Sequence, residues 1–113
     1  MNSPLRGEVW DVDLDPVRGR EQAGRRPAMI VSVDPFNEGP ADLVVVIPIT
    51  RTERRVRWHV RVDPPEGGLL SASFLKCEDV RSVSRSRLAK RRGRISTASQ
   101  DAVDDRLRIL LGL

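Results

Sequence analysis

The segment Leu43–Thr50 reads LVVVIPIT, a nearly continuous apolar run in which β-branched residues predominate. A run of this kind is typical of a strand buried in the middle of a sheet. The segment Ala28–Val33, AMIVSV, precedes it and has the same character. We therefore expect these two segments to form central strands of a β-sheet.

An alternating pattern lies N-terminal to them, in GEVWDVDL (Gly7–Leu14). Its period of two places Trp10, Val12 and Leu14 on one face, and Val9 on the opposite face beside two aspartates. This pattern predicts a half-buried strand whose Trp10 face contacts the core.

A second alternating segment, VRWHVRV (Val56–Val62), follows the central strands. The alternation predicts that the valines and Trp58 face the core and that Arg57, His59 and Arg61 face solvent. A histidine between two outward arginines is better interpreted as an exposed strand residue than as a general base.

The C-terminal part of the chain contains turn, strand and helix signals in that order. DPPEGG (Asp63–Gly68) is rich in turn-forming residues, and SFLKCEDVRSV (Ser73–Val83) predicts one or two short strands. A helix is then indicated by Thr97, which stands three residues before Gln100 in the spacing of a capping box, and by the closing Gly112. Its apolar face carries Val103, Leu107, Leu110 and Leu111.

These elements predict a mainly β fold, a small barrel-like sheet with a C-terminal amphipathic helix packed across it. The length of 113 residues fits one compact domain with its own core. We therefore expect residues 1–113 to form a single domain.

The cationic residues are almost all arginines, 18 against 2 lysines. Formal charge sums to −3 over residues 1–50, to +8 over residues 51–97 and to −1 over residues 98–113. A guanidinium donates two parallel hydrogen bonds to a phosphate, so the basic middle favours a polyanionic partner such as a nucleic acid. A solvated basic surface is the alternative interpretation.

Several classes of protein are excluded by the composition. No apolar stretch approaches the ~18 residues of a membrane span, and the first residues lack the layout of a secretory signal, so we expect a cytoplasmic protein. Cys77 is the single cysteine and is interpreted as a buried small hydrophobe. One histidine and one cysteine supply too few soft ligands for a transition metal, and no phosphate-binding glycine loop is present. We expect no metal and no cofactor.

The segment Arg18–Val31, RGREQAGRRPAMIV, joins a charged loop to the start of a strand. Pro27 restricts the backbone next to Arg26 and so positions that guanidinium at the mouth of the strand. Thr50 ends the neighbouring apolar strand, where its hydroxyl would leave the core, and Glu21 is the one carboxylate of the loop. A functional cluster and a simple loop salt bridge beside a turn are equally compatible with these residues.

Three segments in this order, RGEVWDVDLDPVRGREQAGRRPAMIVS, VVVIPIT and CEDVRSV, resemble the MazF/PemK family of toxin endoribonucleases. The similarity runs from about Arg6 to the end of the chain. It implies a small SH3-like barrel of the CcdB/MazF type, a homodimer, and the toxin of a type II toxin–antitoxin system. It also implies sequence-specific, metal-independent cleavage of single-stranded mRNA, in which attack by the 2′-hydroxyl leaves a 2′,3′-cyclic phosphate and a 5′-hydroxyl.

The resemblance further implies three catalytic residues. The arginine before the proline of the G-x-R-P segment is Arg26, the threonine that ends the P-x-T segment is Thr50, and the acidic residue of the E-Q segment is Glu21. A fixed guanidinium and a hydroxyl can stabilise the charge that builds on the phosphate oxygens. Glu21 is the more natural proton acceptor, because a guanidinium is a poor base at neutral pH.

The sequence departs from the family pattern at positions that bear on the choice of substrate. Arg20 stands where serine is frequent, Arg25 adds a second guanidinium beside Arg26, and Asp79 stands where glutamine is common. No particular cleavage sequence follows from side-chain types alone.

The two arginine-rich segments Arg18–Arg26 and Thr50–Arg57 would flank the RNA and hold phosphates or stack on bases. The resemblance also implies a MazE-like antitoxin whose flexible tail occupies the RNA groove. Because a groove that attracts phosphates also attracts carboxylates, we expect that tail to be acidic with a few apolar anchors. The predicted RNA-binding residues are Arg18, Arg20, Gln22, Arg25, Arg51, Arg54, Arg55 and Arg57.

Two other functions are open at the level of sequence. A CcdB-like toxin would use the same barrel to bind gyrase without nuclease activity, although the EQAGRRP and PIT segments argue against it. A noncatalytic RNA-binding barrel would keep the basic middle of the chain but would need neither Arg26 nor Thr50.

Overall fold

A computed structural model describes residues 3–14 and 24–113 of the chain. Short 3-10 turns cover Glu66–Gly68, Cys77–Asp79 and Arg85–Arg87. The described helices are α1 (Asp34–Asn37) and α2 (Thr97–Leu111). The described strands are β1 (Glu8–Asp13), β2 (Arg25–Ile30), β3 (Leu43–Thr50), β4 (His59–Val62), β5 (Ser73–Lys76), β6 (Arg81–Ser84) and β7 (Leu88–Arg94).

These strands form one sheet in the order β4-β5-β3-β2-β1-β7, and β6 pairs with β3. All the pairs are antiparallel. β3 contacts β2 along one side, while along its other side it pairs first with β6 and then, from Ile49, with β5. A strand that changes partner along its length makes a sheet curl. The predicted mainly β, barrel-like fold with a C-terminal helix is confirmed.

Apolar side chains are buried on both faces of β1. Val9 belongs to a cluster that includes Met29 of β2 and Val103 of α2, whereas Trp10 and Val12 belong to a second cluster on the other face. The prediction of a half-buried β1 is therefore wrong for Val9, which is fully buried. Its face is covered because the sheet curls and α2 packs against it. Neither feature can be deduced from the local alternation of apolar and polar residues.

The segment Val56–Val62 also differs from its prediction. β4 begins at His59, and residues 51–57 are exposed, including Val56. His59 is buried instead of facing solvent, because its Nε2 atom lies 2.8 Å from Oε2 of Glu78. Its position is decided by this partner from a distant part of the chain. Val60 and Val62 are buried as predicted.

The boundaries of α2 are set by one serine and one glycine. Ser96, rather than the predicted Thr97, is the N-cap, and its hydroxyl oxygen accepts the backbone N–H of Ser99. Ser96 is held in the N-cap position because its own N–H and hydroxyl both donate to Oε2 of Glu66, each at 3.0 Å. The helix ends at Gly112, whose φ of 74° is left-handed, as predicted.

The apolar face of α2 is buried mainly in its first half. Val103 is fully buried and Leu107 packs partly against the same cluster, whereas Leu111 at the end of the helix is 56% exposed. No helix in the described ranges is long and apolar enough to cross a bilayer.

Candidate active site

The register between β2 and β3 brings the two principal candidate residues together. Ala28 pairs with Pro48 in this antiparallel ladder. Continuing the same register by two residues places Arg26 opposite Thr50. Both side chains line one cleft with a volume of about 710 Å³. The sequence separates them by more than twenty residues, and the fold brings both to one cleft.

Arg26 lies within a strand and not in a free loop. β2 begins at Arg25, three residues before the predicted start, and Arg26 pairs with Val12 of β1. Its side chain is exposed. The paired backbone therefore fixes the point at which this side chain leaves the sheet, and Pro27 is part of the same strand, opposite Asp11.

Thr50 is the last residue of β3 and is half-buried. Its hydroxyl oxygen accepts the backbone N–H of Thr52 at a distance of 3.1 Å. A hydroxyl that accepts this bond keeps its own hydrogen for a ligand in the cleft. Thr50 can therefore act as a fixed hydrogen-bond donor.

The described side chains that line the cleft carry charge of one sign. Four arginines line it, and no carboxylate is found among its described lining residues. Arginines grouped in a concave site attract anions and can grip a phosphate with paired hydrogen bonds. The four are Arg25, Arg26, Arg51 and Arg92.

Four predicted site residues lie outside the described part of the chain. These are Glu21, with its expected role as proton acceptor, and the predicted RNA-binding residues Arg18, Arg20 and Gln22.

The remaining predicted RNA-binding arginines follow Thr52 in the exposed segment 51–57. Arg54, Arg55 and Arg57 are not among the residues that line the cleft. The guanidinium carbon of Arg57 lies 4.8 Å from the centroid of the Trp58 ring, and its backbone carbonyl oxygen accepts a hydrogen bond from Arg106 of α2.

The cleft also contains residues that the sequence did not single out. Leu70 is 86% exposed beside Ser71, and both line the cleft together with Arg92 of β7. The basic run LAKRRGR could have drawn attention to Arg92. Which of its cations reaches the cleft depends, however, on the pairing of β7 with β1, which no local pattern reveals.

The single histidine and the single cysteine lie away from the cleft. The Nδ1 atom of His59 is buried and has no hydrogen-bond partner among the described residues. Burial raises the pKa of the Cys77 thiol to about 11. Such a thiol is protonated at neutral pH, and the interpretation of Cys77 as a buried small hydrophobe is confirmed.

Within residues 3–14 and 24–113, no group of three or more His, Cys, Asp and Glu side chains is arranged to hold a metal ion.

Comparison with known proteins gives the family. A family model described as PemK-like, MazF-like toxin of type II toxin–antitoxin system matches residues 5–111. Endoribonuclease MazF9 of Mycobacterium tuberculosis is 35% identical over 113 residues, with 96% of each chain covered. Endoribonuclease EndoA of Bacillus subtilis is 31% identical, with 96% of this chain and 94% of that protein covered.

A solved structure shows the same fold. In the MazE–MazF complex (Form-II) of Deinococcus radiodurans, a chain 27% identical to this one superposes with a TM-score of 0.84 and covers 100% of this chain and 99% of its own length. The fold, the family model and the relatives all agree with the resemblance found in the sequence. This chain belongs to the PemK-like, MazF-like family of type II toxins.

Proposed function

We propose that this protein is an endoribonuclease that cleaves single-stranded RNA and is the toxin of a type II toxin–antitoxin system. The observation that carries the proposal is the meeting of Arg26 and Thr50 in one arginine-lined cleft. The relatives named endoribonuclease, which match almost the full length of the chain, support it. A gyrase-binding toxin or a noncatalytic RNA-binding barrel would have no use for this pair.

The proposed reaction needs a nucleophile, a group that accepts a proton and a group that donates a proton. The 2′-oxygen of the RNA loses its proton and forms a bond to the adjacent phosphorus, while the bond from phosphorus to the 5′-oxygen breaks and that oxygen gains a proton. The products are a 2′,3′-cyclic phosphate and a 5′-hydroxyl. No metal or cofactor is needed for this balance.

Arg26 and Thr50 are suited to stabilise the transition state. As the 2′-oxygen attacks, negative charge grows on the nonbridging phosphate oxygens, and a guanidinium and a hydroxyl fixed on adjacent strands can donate hydrogen bonds to them. Because an arginine remains protonated at neutral pH, we assign the removal of the 2′-proton to Glu21.

The surrounding arginines bind the rest of the RNA. Arg25 and Arg51 line the cleft beside the catalytic pair. We assign the other predicted contacts to holding phosphates or stacking on bases, and to a preference for certain sequences. They are Arg18, Arg20, Gln22, Arg54, Arg55 and Arg57.

The proposal extends to the assembly of the enzyme and to its inhibition by an antitoxin. Residues 1–113 act as one toxin domain, two copies pair as a homodimer that doubles the basic surface, and the enzyme works in the cytoplasm. A MazE-like antitoxin with an acidic tail blocks the groove by occupying the phosphate sites. The relative from Deinococcus radiodurans, solved as a MazE–MazF complex, supports this partner.

Incubation of purified protein with a long single-stranded RNA in EDTA tests the function. We expect discrete fragments whose 5′-hydroxyl ends accept phosphate from a polynucleotide kinase without prior dephosphorylation. Arg26→Ala should reduce the rate about a hundredfold or more while the protein stays folded. Retention of RNA without cutting would favour the noncatalytic barrel. Neither cutting nor retention, together with inhibition of gyrase, would favour the CcdB-like function.

A further inference from the structure

Arg92 is a fourth cation of the cleft that the proposed reaction leaves without a role. It is the one described residue of β7 that lines the cleft with Arg26 and Thr50, and its side chain is 26% exposed. Its neighbour Arg91 is also ion-paired, to Glu8, but is not among the described lining residues.

Two hydrogen bonds hold the Arg92 guanidinium. Nη1 donates to Oδ1 of Asp11 and Nη2 donates to the carbonyl oxygen of Gly68, each at 3.2 Å. Among the described residues these contacts use two of its five N–H donors, so three can bind a ligand. Because the side chain is already ordered, little conformational entropy is lost when it binds an anion.

The backbone around Arg92 is fixed by a close approach that requires glycines. Gly68 has a φ of +70°, and a Cβ atom there would lie 2.1 Å from the carbonyl oxygen of Arg92. A Cβ on Gly93 would lie 2.6 Å from the backbone of Gly67. The turn Glu66–Gly68 therefore packs directly on the backbone of β7 and sets where Arg92 meets the cleft.

A purely structural role does not account well for this arrangement. A partly exposed ion pair such as Asp11–Arg92 contributes little to stability. A guanidinium that is ordered, partly exposed and provided with further donors beside a cationic cleft is instead suited to hold a phosphate.

We propose that Arg92 binds a backbone phosphate of the RNA at a subsite other than the scissile phosphate, and that Asp11 and Gly68 hold its guanidinium in position for this contact. The inference rests on the proposed nuclease function. A phosphate outside the reacting bond is bound equally in the ground state and the transition state, so this contact lowers KM and leaves kcat unchanged.

The test compares Arg92→Gln with Arg91→Gln, which removes a neighbouring ion pair to β1 without touching the cleft. We expect Arg92→Gln to raise KM about tenfold with kcat within about twofold of the parent, and Arg91→Gln to leave KM unchanged. The slope of log affinity against log salt, measured with an RNA that lacks the attacking 2′-hydroxyl, should fall by about 0.7 for Arg92→Gln only.

A series of RNAs shortened one nucleotide at a time from each end locates the subsite. In the parent, KM should rise at the step that removes the phosphate bound by Arg92, and in Arg92→Gln that step should have no effect. Unchanged KM and salt slope in folded Arg92→Gln, with a parent that cleaves RNA, would overturn the inference and leave the proposed function intact. A parent that does not cleave RNA would instead contradict the function itself.

If Arg92→Gln does not fold, Arg92→Lys decides the question, since it keeps the charge and loses the planar fork. A KM raised severalfold at constant kcat supports phosphate binding. A parental KM would make Arg92 a structural contact between β1, β7 and the Glu66–Gly68 turn.

Discussion

His59 and Glu78 form a buried contact that joins β4 to the turn after β5. The Nε2–Oε2 distance is 2.8 Å, and the His59 side chain is 3% exposed, whereas that of Glu78 is 33% exposed. The pair lies outside the cleft that holds Arg26 and Thr50. We therefore assign His59 to stability and not to catalysis.

Replacement of His59 tests this assignment. His59→Ala removes the hydrogen bond and leaves a cavity, so the free energy of unfolding should fall by about 2–3 kcal/mol, measured by urea denaturation. Glu78→Gln is the matched control, which keeps a hydrogen-bonding partner and should cost less. The rate of RNA cleavage by folded protein should stay within a few fold of the parent for both variants. A folded His59→Ala protein that had lost cleavage would show that the histidine takes part in the reaction.

Two substitutions of Thr50 show whether its hydroxyl, and not merely its place in the cleft, is needed for cleavage. Thr50→Ala removes the donor proposed to stabilise the transition state, so kcat should fall about a hundredfold or more. Thr50→Ser keeps the hydroxyl and should retain most of the activity. The Thr52 N–H that Thr50 accepts is exposed and can bond to water, so neither change should alter the thermal midpoint greatly. Equal activity of folded Thr50→Ala and the parent would remove this residue from the site.

Local sequence patterns predicted where the strands and helices lie better than they predicted which side chains are buried. The apolar run Leu43–Thr50 identified the central strand and the Gly112 signal identified the end of α2, because each depends on neighbouring residues alone. The burial of Val9 and His59 was missed, since the residues that cover them come from α2 and from Glu78, far away in the sequence.

The same distinction holds within the site. The resemblance pointed to Arg26 and Thr50 before their strands were known to be paired. Arg92 could not be predicted, because its place in the cleft depends on the pairing of β1 with β7 and on the contact with Gly68.

Glu8 gives the protein a defined response to acid. Burial would by itself raise the pKa of this carboxyl, but hydrogen bonds from the Leu5 N–H, the Trp10 indole and the Arg91 guanidinium outweigh it and hold the pKa below the ordinary value of 4.5. Stability from the ionised form is therefore fully present above pH 4.5 and is lost as the pH falls through the lowered pKa of the folded protein.

Glu8→Gln should reveal this contribution by thermal denaturation. At about pH 7 the variant should be less stable than the parent by about 1–3 kcal/mol, because a charge-assisted contact to Arg91 is lost. The difference should shrink steadily below about pH 4.5, since the parent then loses the same charge. Glu38→Gln, a change at an exposed site, should follow the parent at every pH. Parallel curves for Glu8→Gln and the parent would refute the role of the Glu8 charge.

The exposed segment 51–57 should control how fast an acidic antitoxin associates. It leads out of the cleft from Thr52, and Arg54 and Arg55 are exposed, with Arg55 making one long contact of 3.8 Å to Glu53. Exposed charges at the edge of a binding groove act mainly at a distance, on the rate of encounter and its salt dependence.

Reversal of these two charges is therefore expected to change kinetics more than final affinity. The double variant Arg54→Glu with Arg55→Glu should associate with the antitoxin about tenfold more slowly at low salt, show a flatter salt dependence, and bind RNA more weakly. Stopped-flow association at two ionic strengths measures the first two effects. Arg108→Glu, an exposed reversal on α2 outside the described lining of the cleft, should leave both nearly unchanged. A double variant that associates as fast as the parent, with the same salt slope, would show that the 51–57 segment does not face the groove.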